Sequence, residues 1–406
     1  MSGAFDLLNE IDVVDPYPLW QSLLDGPPQV AADGSFALVT RHADCAALLR
    51  HPDMSADHRN SDHFKTVRAP QLTPHDLESI EKREVFLFRD PPVHTRLRRL
   101  VSKAFTPRQV QQLAPFVEQR TRELLHAASA RGGLELVGDL AYPLPVAVIS
   151  ELLGVPHEDA ATFAGWSHVL AKGLDRLMSE PTPQEMQDNR VASDEFRAYF
   201  ERLAEQRRRK PQDDLLSALV AAEEEGDRLT IDELTSTALL LLVAGHETTV
   251  SLVGNGMLAL LRVPGLLDRV RDNPALADGV VEEVLRLDPP VQMTMRTALA
   301  DVDVPGGRLR AGGTAVLLLA AANRDEQEHA DALSFDPDRT DAQHLSFSGG
   351  IHYCLGAPLA RLEGRIVLAE LARRLVGPRV EDLAYRENRV LRGPSRLVVG
   401  FDALLP

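Results

Sequence analysis

Residues 347–360 read F-S-G-G-I-H-Y-C-L-G-A-P-L-A, with glycines around Cys354 and a helix signal just beyond it. Pro358 fits the first turn of that helix, where a missing N–H costs nothing. A sulfur at a helix N-terminus faces unpaired N–H groups and the positive end of the dipole, and both favour thiolate over thiol. The dipole contributes only about 0.3–2 kcal/mol, whereas coordination to a metal removes the thiol proton outright. Zinc needs several protein ligands, and Cys354 has no second cysteine nearby in the sequence. Iron in a porphyrin needs only one or two axial ligands from the protein.

The rest of the 406-residue chain bounds this reading. Sixty acidic against 44 basic side chains give a net charge of -16, which argues against nucleic acid as the main partner because phosphate binding needs a basic surface. Two cysteines make no disulfide framework, so a cytoplasmic location is expected. Cys45, among alanines and leucines, reads as a small buried apolar residue. The apolar stretch from Ala238 to Gly245 is interrupted by His246 and Glu247, short of the roughly 20 residues a membrane helix requires. The acidic N-terminus lacks the pattern of a signal peptide or anchor. No membrane association is therefore expected.

Short Pro and Gly punctuation, without repeats or linkers, predicts a single domain over 1–406, mainly α with small β-sheets, an α+β class. Gln29 to Val39 reads as a hairpin about Asp33-Gly34, and Thr40 as the start of a helix running to Arg50. The spacing predicts one helix over Pro107–Arg131 with Thr106 as N-cap, and another ending at Gly154. Two more lie between Glu158 and Lys210, joined by a loop with Pro181 and Pro183, and the R-R-R-K run reads as a solvated helix end. T-I-D-E at Thr230 makes a capping box with Glu233 and opens a helix to Arg262, roughly 50 Å long at 1.5 Å per residue. Asp301 to Leu319 reads as short strands.

With these residues in place, the chain resembles the cytochrome P-450 family of haem-thiolate monooxygenases. Phe347, Gly350, His352, Cys354 and Gly356 match its signature of Phe, Gly, a basic residue, the ligand Cys and Gly, with Ser348 where many members carry Gly. E-V-L-R supplies Glu283 and Arg286 at i and i+3, matching the Glu-x-x-R pair, and Arg339 in F-D-P-D-R matches the Arg that completes that buried network. A-G-H-E-T-T matches the pattern of the family's long central helix over haem with Ala244, Gly245, Glu247 and Thr248. His94 and Arg98 in H-T-R-L-R, Arg296 in M-T-M-R, and His352 match the groups that hold the haem propionates. Small residues let a helix lie close to a flat cofactor, and the resemblance expects the Thr248 hydroxyl to turn away from its own backbone and bind water or oxygen.

The resemblance implies haem b (iron protoporphyrin IX) with Cys354 as metal ligand, and O2 as co-substrate. NAD(P)H would supply electrons through a separate ferredoxin and ferredoxin reductase to a monomeric protein. It implies insertion of one oxygen atom into a C–H bond or alkene, with Glu247 and Thr248 organising proton delivery. Substrate walls are placed by resemblance at Asp57–Phe88, Trp166–Met186, Val243, Ala244 and the run Val291, Gln292, Met293, Thr294, Met295. Their apolar mix suits a medium-sized polyketide, macrolide or terpenoid of secondary metabolism. Arg99, Lys103, Arg361 and Arg365 are expected to form a basic docking face for the ferredoxin. Two alternatives stand beside this reading: a peroxide-driven peroxygenase and a non-catalytic haem-binding sensor.

Overall fold

The computed structural model describes residues 6–72, 85–171, 182–224, 226–340 and 342–406. They group into two compact units, one from Met1–Arg99, Val291–Ser334 and Asp341–Cys354, the other from Leu100–Pro290, Phe335–Thr340 and Leu355–Pro406.

The first unit is built on a five-stranded sheet in the order Gln29–Val30, Phe36–Val39, Thr314–Leu317, Thr294–Ala298, Met54–Ser55. Phe36–Val39 and Thr314–Leu317 run parallel, and the other neighbours are antiparallel. The expected hairpin is present. Its turn works because Asp33 Oδ1 accepts from Ser35 N at 3.0 Å and Gly34 takes φ +67°. The following helix, His42–Arg50, starts two residues later than Thr40. A distant carboxylate caps it instead: Asp325 Oδ2 accepts from His42 N at 3.1 Å while its Oδ1 takes the Arg41 guanidinium at 2.7 Å. Cys45 is fully buried among Val39, Leu48, Leu49 and Leu317, and burial pushes its thiol up, as befits a core residue.

The second unit is helical around Ile231–Arg262, whose Thr230–Glu233 capping box forms as the sequence predicts. By length and composition this helix could cross a bilayer, but two-thirds of its most apolar window is buried inside the protein. Pro143–Leu153, Ala160–Ala171, Ala277–Leu287 and Ala357–Arg374 pack around it. Glycines permit the closest approaches: a Cβ on Gly256 would lie 2.7 Å from Leu368, and one on Gly254 2.4 Å from Pro394. A sheet of Arg379–Tyr385, Pro394–Gly400 and Leu134–Glu135 completes this unit's larger β element.

Three local expectations change. Pro107–Arg131 is two helices, Pro107–Gln112 and Ala114–Ala130, because Pro115 has no N–H with which to continue the first. Pro183 opens Pro183–Arg209 behind a Thr182–Glu185 capping box rather than lying in a loop, and Pro181 lies outside the described residues. Arg207 of the basic run is buried, with Nε 2.5 Å from Asp214 and Nη2 donating to Gly154 O at 2.6 Å. It ties two helix ends together, so the run is not simply a solvated terminus.

Candidate functional site

Cys354 is a partly exposed thiol outside any disulfide, at the end of a loop that its own backbone fixes, its N–H donating to Phe347 O at 2.9 Å. Phe347 is buried beneath the loop. Ser348 takes φ +62°, a conformation that costs a residue with a Cβ, and this is why glycine suits the position. Gly350 has φ +63°, and a Cβ there would sit 2.6 Å from Leu49 O, so its side-chain-free state is a packing requirement. In the chain, Gly356 is the N-cap of Ala357–Arg374 and Pro358 stands in its first turn, as the sequence predicts.

In the same unit, His94, Arg98, Arg296 and His352 gather. The His94 and His352 rings lie with centroids 4.3 Å apart. His94 is buried, and burial, then the Arg98 charge, push its imidazole down, with Asp90 and the Ile351 backbone opposing that shift. Arg98 donates to Tyr353 O at 2.8 Å and lies over the Phe86 ring. Arg296 is buried, donating to Met295 O at 2.8 Å and weakly to Thr294 and Ser348 hydroxyls. No carboxylate among the described residues pairs with Arg296.

The electrostatics favour an anion beside these groups. Burial pushes the Arg296 guanidinium down to about 10. Burial, then His94, Arg296 and Arg98, push the His352 imidazole down to about 3. Burying cationic groups without a counter-ion is unfavourable, and a carboxylate accepting from Arg and His reverses the sign. These donors therefore fit a ligand that carries carboxylates. The partly exposed thiol of the same unit is a fitting ligand for a metal carried by such a group.

In the second unit, Arg286 donates through Nε and Nη2 to the two Glu283 oxygens at 2.7 and 2.8 Å. Asp336 N donates to Glu283 Oε2 at 2.9 Å, and Arg339 Nε lies 3.4 Å from Oε1. The expected three-residue network is thus present and buried. A Cβ on Gly279 would come within 1.8 Å of Pro337 O, so glycine lets the Arg339 segment lie against the helix.

Mid-way along the long helix, Val243, Ala244, Gly245 and Thr248 are half-buried and Glu247 is buried. A Cβ on Gly245 would press on Ile149 at 3.2 Å. Contrary to expectation, the Thr248 hydroxyl donates back to Ala244 O at 2.7 Å, and Thr249 does the same to Gly245 O at 2.8 Å. The carbonyl of the previous turn is always within reach of a mid-helix threonine hydroxyl. No hydrogen bond joins Glu247 to Thr248. Glu247 instead pairs with Arg386, and His246 Nδ1 lies 3.9 Å from it. His246 is itself fixed by Ser167 Oγ at 3.2 Å and by the Tyr142 ring at 4.1 Å. Sequence reasoning missed Arg386, because an arginine in a polar run carries no signal of its distant partner.

The pocket and docking residues are placed less uniformly. Gln292 is buried, and its Oε1 accepts from Trp20 Nε1 at 3.1 Å. Met293 is buried, Val291 packs on the core of the first unit, Thr294 is half-buried and Met295 is exposed. Residues 73–84 and 172–181 of the two longer wall segments lie outside the described residues. Of the basic docking residues, Arg361 is engaged by Glu282 at 2.7 Å and Arg365 by Asp278 at 3.6 Å. Helix carboxylates therefore already neutralise half of that set.

Comparison with known proteins gives a consistent answer. The family model described as Cytochrome P450 matches residues 36–376. The chain is similar to the Vitamin D(3) 25-hydroxylase of Pseudonocardia autotrophica, 38% identical over 95% of this chain and 93% of that protein. It is 41% identical to the 6-deoxyerythronolide B hydroxylase of Saccharopolyspora erythraea over 77% of each. Among solved structures, ligand-free CYP164A2 of Mycobacterium smegmatis superposes with a TM-score of 0.84 at 42% identity, covering 97% of this chain and 98% of that one.

Proposed function

This chain belongs to the cytochrome P450 family and is a monooxygenase, and from that premise we propose that it inserts one oxygen atom from O2 into a medium-sized apolar molecule by hydroxylation or epoxidation. The observation that carries the reading is the cluster of two guanidinium groups, Arg98 and Arg296, and two imidazoles, His94 and His352, with no carboxylate paired to them among the described residues, in the unit that also holds the Cys354 thiol. Members of the family use haem and a redox partner; the finer reading is haem b, with electrons from NAD(P)H through a ferredoxin and its reductase. When bound through a thiolate, the haem activates dioxygen, and electron donation from sulfur favours O–O cleavage.

This chain's own residues then have separate tasks. Cys354 supplies the thiolate. Arg98 and Arg296 offer forked donors to the haem carboxylates, and His94 and His352 offer single N–H groups. Glu283, Arg286 and Arg339 hold the segments that carry the site in place. Glu247 is a proton carrier, and the Thr248 hydroxyl, donating to Ala244 O, accepts a hydrogen bond from water.

Two relatives whose names give their substrates act on vitamin D(3) and 6-deoxyerythronolide B, and an apolar guest of that size, in secondary metabolism, is the reading they support. The test is turnover of a compound panel with surrogate ferredoxin, reductase and NADPH, read by mass spectrometry. A product heavier by one oxygen, dependent on NADPH, is the expected result. Product formed with hydrogen peroxide alone and never with NADPH would instead identify a peroxygenase, and no product at all would favour a haem sensor.

A further inference from the structure

Glu247 and Arg386 meet from elements 139 residues apart in sequence, and both side chains are nearly closed to solvent. The hairpin tip that carries Arg386 is fastened to the long helix at several points. Arg386 N donates to Gly393 O at 3.2 Å, closing the tip. A Cβ on Gly393 would lie 2.6 Å from Ser251 Cβ, so glycine lets the strand touch the helix one turn beyond Glu247. Asn255 Nδ2 donates to Arg392 O at 3.3 Å and to Asp288 O at 2.9 Å. Arg392 Nε donates to Asp288 Oδ1 at 2.7 Å. Inside the tip, Asn388 Oδ1 accepts from Val390 N and Leu391 N, both at 2.8 Å.

We propose that Arg386 is a positioning residue for Glu247: it keeps the carboxylate ionised and turned toward the hairpin, so that proton hand-over toward Thr248 begins with the opening of this ion pair. The proposal rests on the relay role given to Glu247 above. Three observations support it. Glu247 and Thr248 are not hydrogen-bonded to one another, and each is held by a different partner. His246, the titratable neighbour on the same helix, is fixed by Ser167 and Tyr142 and lies 3.9 Å away, too far for a hydrogen bond. Among the described residues, the titratable groups seen around Glu247 are His246 on its own helix, Tyr142 at the start of Pro143–Leu153 and Arg386 on the hairpin, and of these the guanidinium is the permanently charged one. A buried carboxylate that loses its cation neutralises rather than remaining as a bare charge.

The test is isotope-edited infrared spectroscopy of the resting holoprotein at neutral pH, labelled with 13C-glutamate and read as the difference from E247Q. Wild type should show only a carboxylate stretch from Glu247. R386Q should lose it and gain a carboxylic acid C=O band, and R386K should restore the carboxylate. An R386Q spectrum identical to wild type, or an R386K spectrum identical to R386Q, would overturn the proposal. Should R386Q fail to fold, the pair is read from its other side. The Arg386 side-chain N–H signals in 15N NMR should exchange slowly in wild type and collapse in E247Q; their persistence in E247Q would show another anion holding Arg386 and sink the idea. Wild type without a thiolate-type carbon monoxide adduct would refute the monooxygenase reading itself, whereas a normal adduct with unmoved infrared bands would refute only the role of Arg386.

Discussion

Arg286 grips both carboxylate oxygens of Glu283 three residues earlier on the same helix, and neither side chain reaches solvent. An exposed i,i+3 pair contributes a few tenths of a kcal/mol. This one is different because Asp336 N and Arg339 also converge on Glu283, so removing either partner strands a buried charge. Glu283→Ala or Arg286→Ala should cost about 3–5 kcal/mol, measured by urea unfolding. A loss below about 1 kcal/mol, the range of surface pairs, would show that the pair is dispensable.

Arg296→Met separates stability from cofactor binding by sign. The buried guanidinium has no carboxylate partner among the described residues, so the apoprotein should be unchanged or more stable in urea. Haem retention should nevertheless weaken about tenfold to a hundredfold, the loss of one charge-assisted hydrogen bond worth about 1.5–3 kcal/mol. Transfer of haem to an acceptor protein measures this. Unaltered retention would remove Arg296 from the cofactor site.

Two buried groups should tilt stability with pH in opposite directions. The His352 imidazole is pushed down to about 3, so the unfolded chain binds more protons between about 6.5 and 3, and the apoprotein loses stability as pH falls through that window. Burial pushes the Glu363 carboxyl up to about 8, so the folded chain holds the proton and stability falls as pH rises from about 4.5 toward 8. Melting curves of His352→Gln and Glu363→Gln against pH check both slopes. Glu363→Gln should gain on wild type progressively toward pH 8, and His352→Gln should flatten the acid limb.

Thr248→Ala should divert electrons into hydrogen peroxide while leaving the fold intact, because its hydroxyl bonds only its own helix. Peroxide and product per NADPH consumed give the measure. Full coupling to product in the variant would exclude Thr248 from proton delivery.

Local chemistry accounts for what was readable beforehand. The Thr230 capping box, the Asp33-Gly34 turn and the Gly154 helix stop each depend on neighbours within four residues, and each appears where expected. Cys354, the His94, Arg98, Arg296 and His352 set and the Glu283 network were expected because their residue types match a family pattern, and the structure brings the members of the last two sets together. Long-range partnerships left no comparable trace. The Asp325 cap on the His42 helix, the Arg207–Asp214 tie, the Trp20–Gln292 bond and the Arg386–Glu247 pair are made by ordinary polar residues whose partners only folding selects. Thr248 was misjudged for the opposite reason: the previous turn of its own helix is always within reach.

The most direct measurement is the absorption spectrum of the reduced carbon monoxide adduct of the haem-reconstituted protein, with Cys354→His beside wild type. The wild-type protein should give the red-shifted Soret band of a thiolate-ligated haem, and Cys354→His should lose it. A wild-type spectrum like that of an imidazole-ligated globin, or no haem uptake at all, would contradict the assignment of Cys354 and the function built on it.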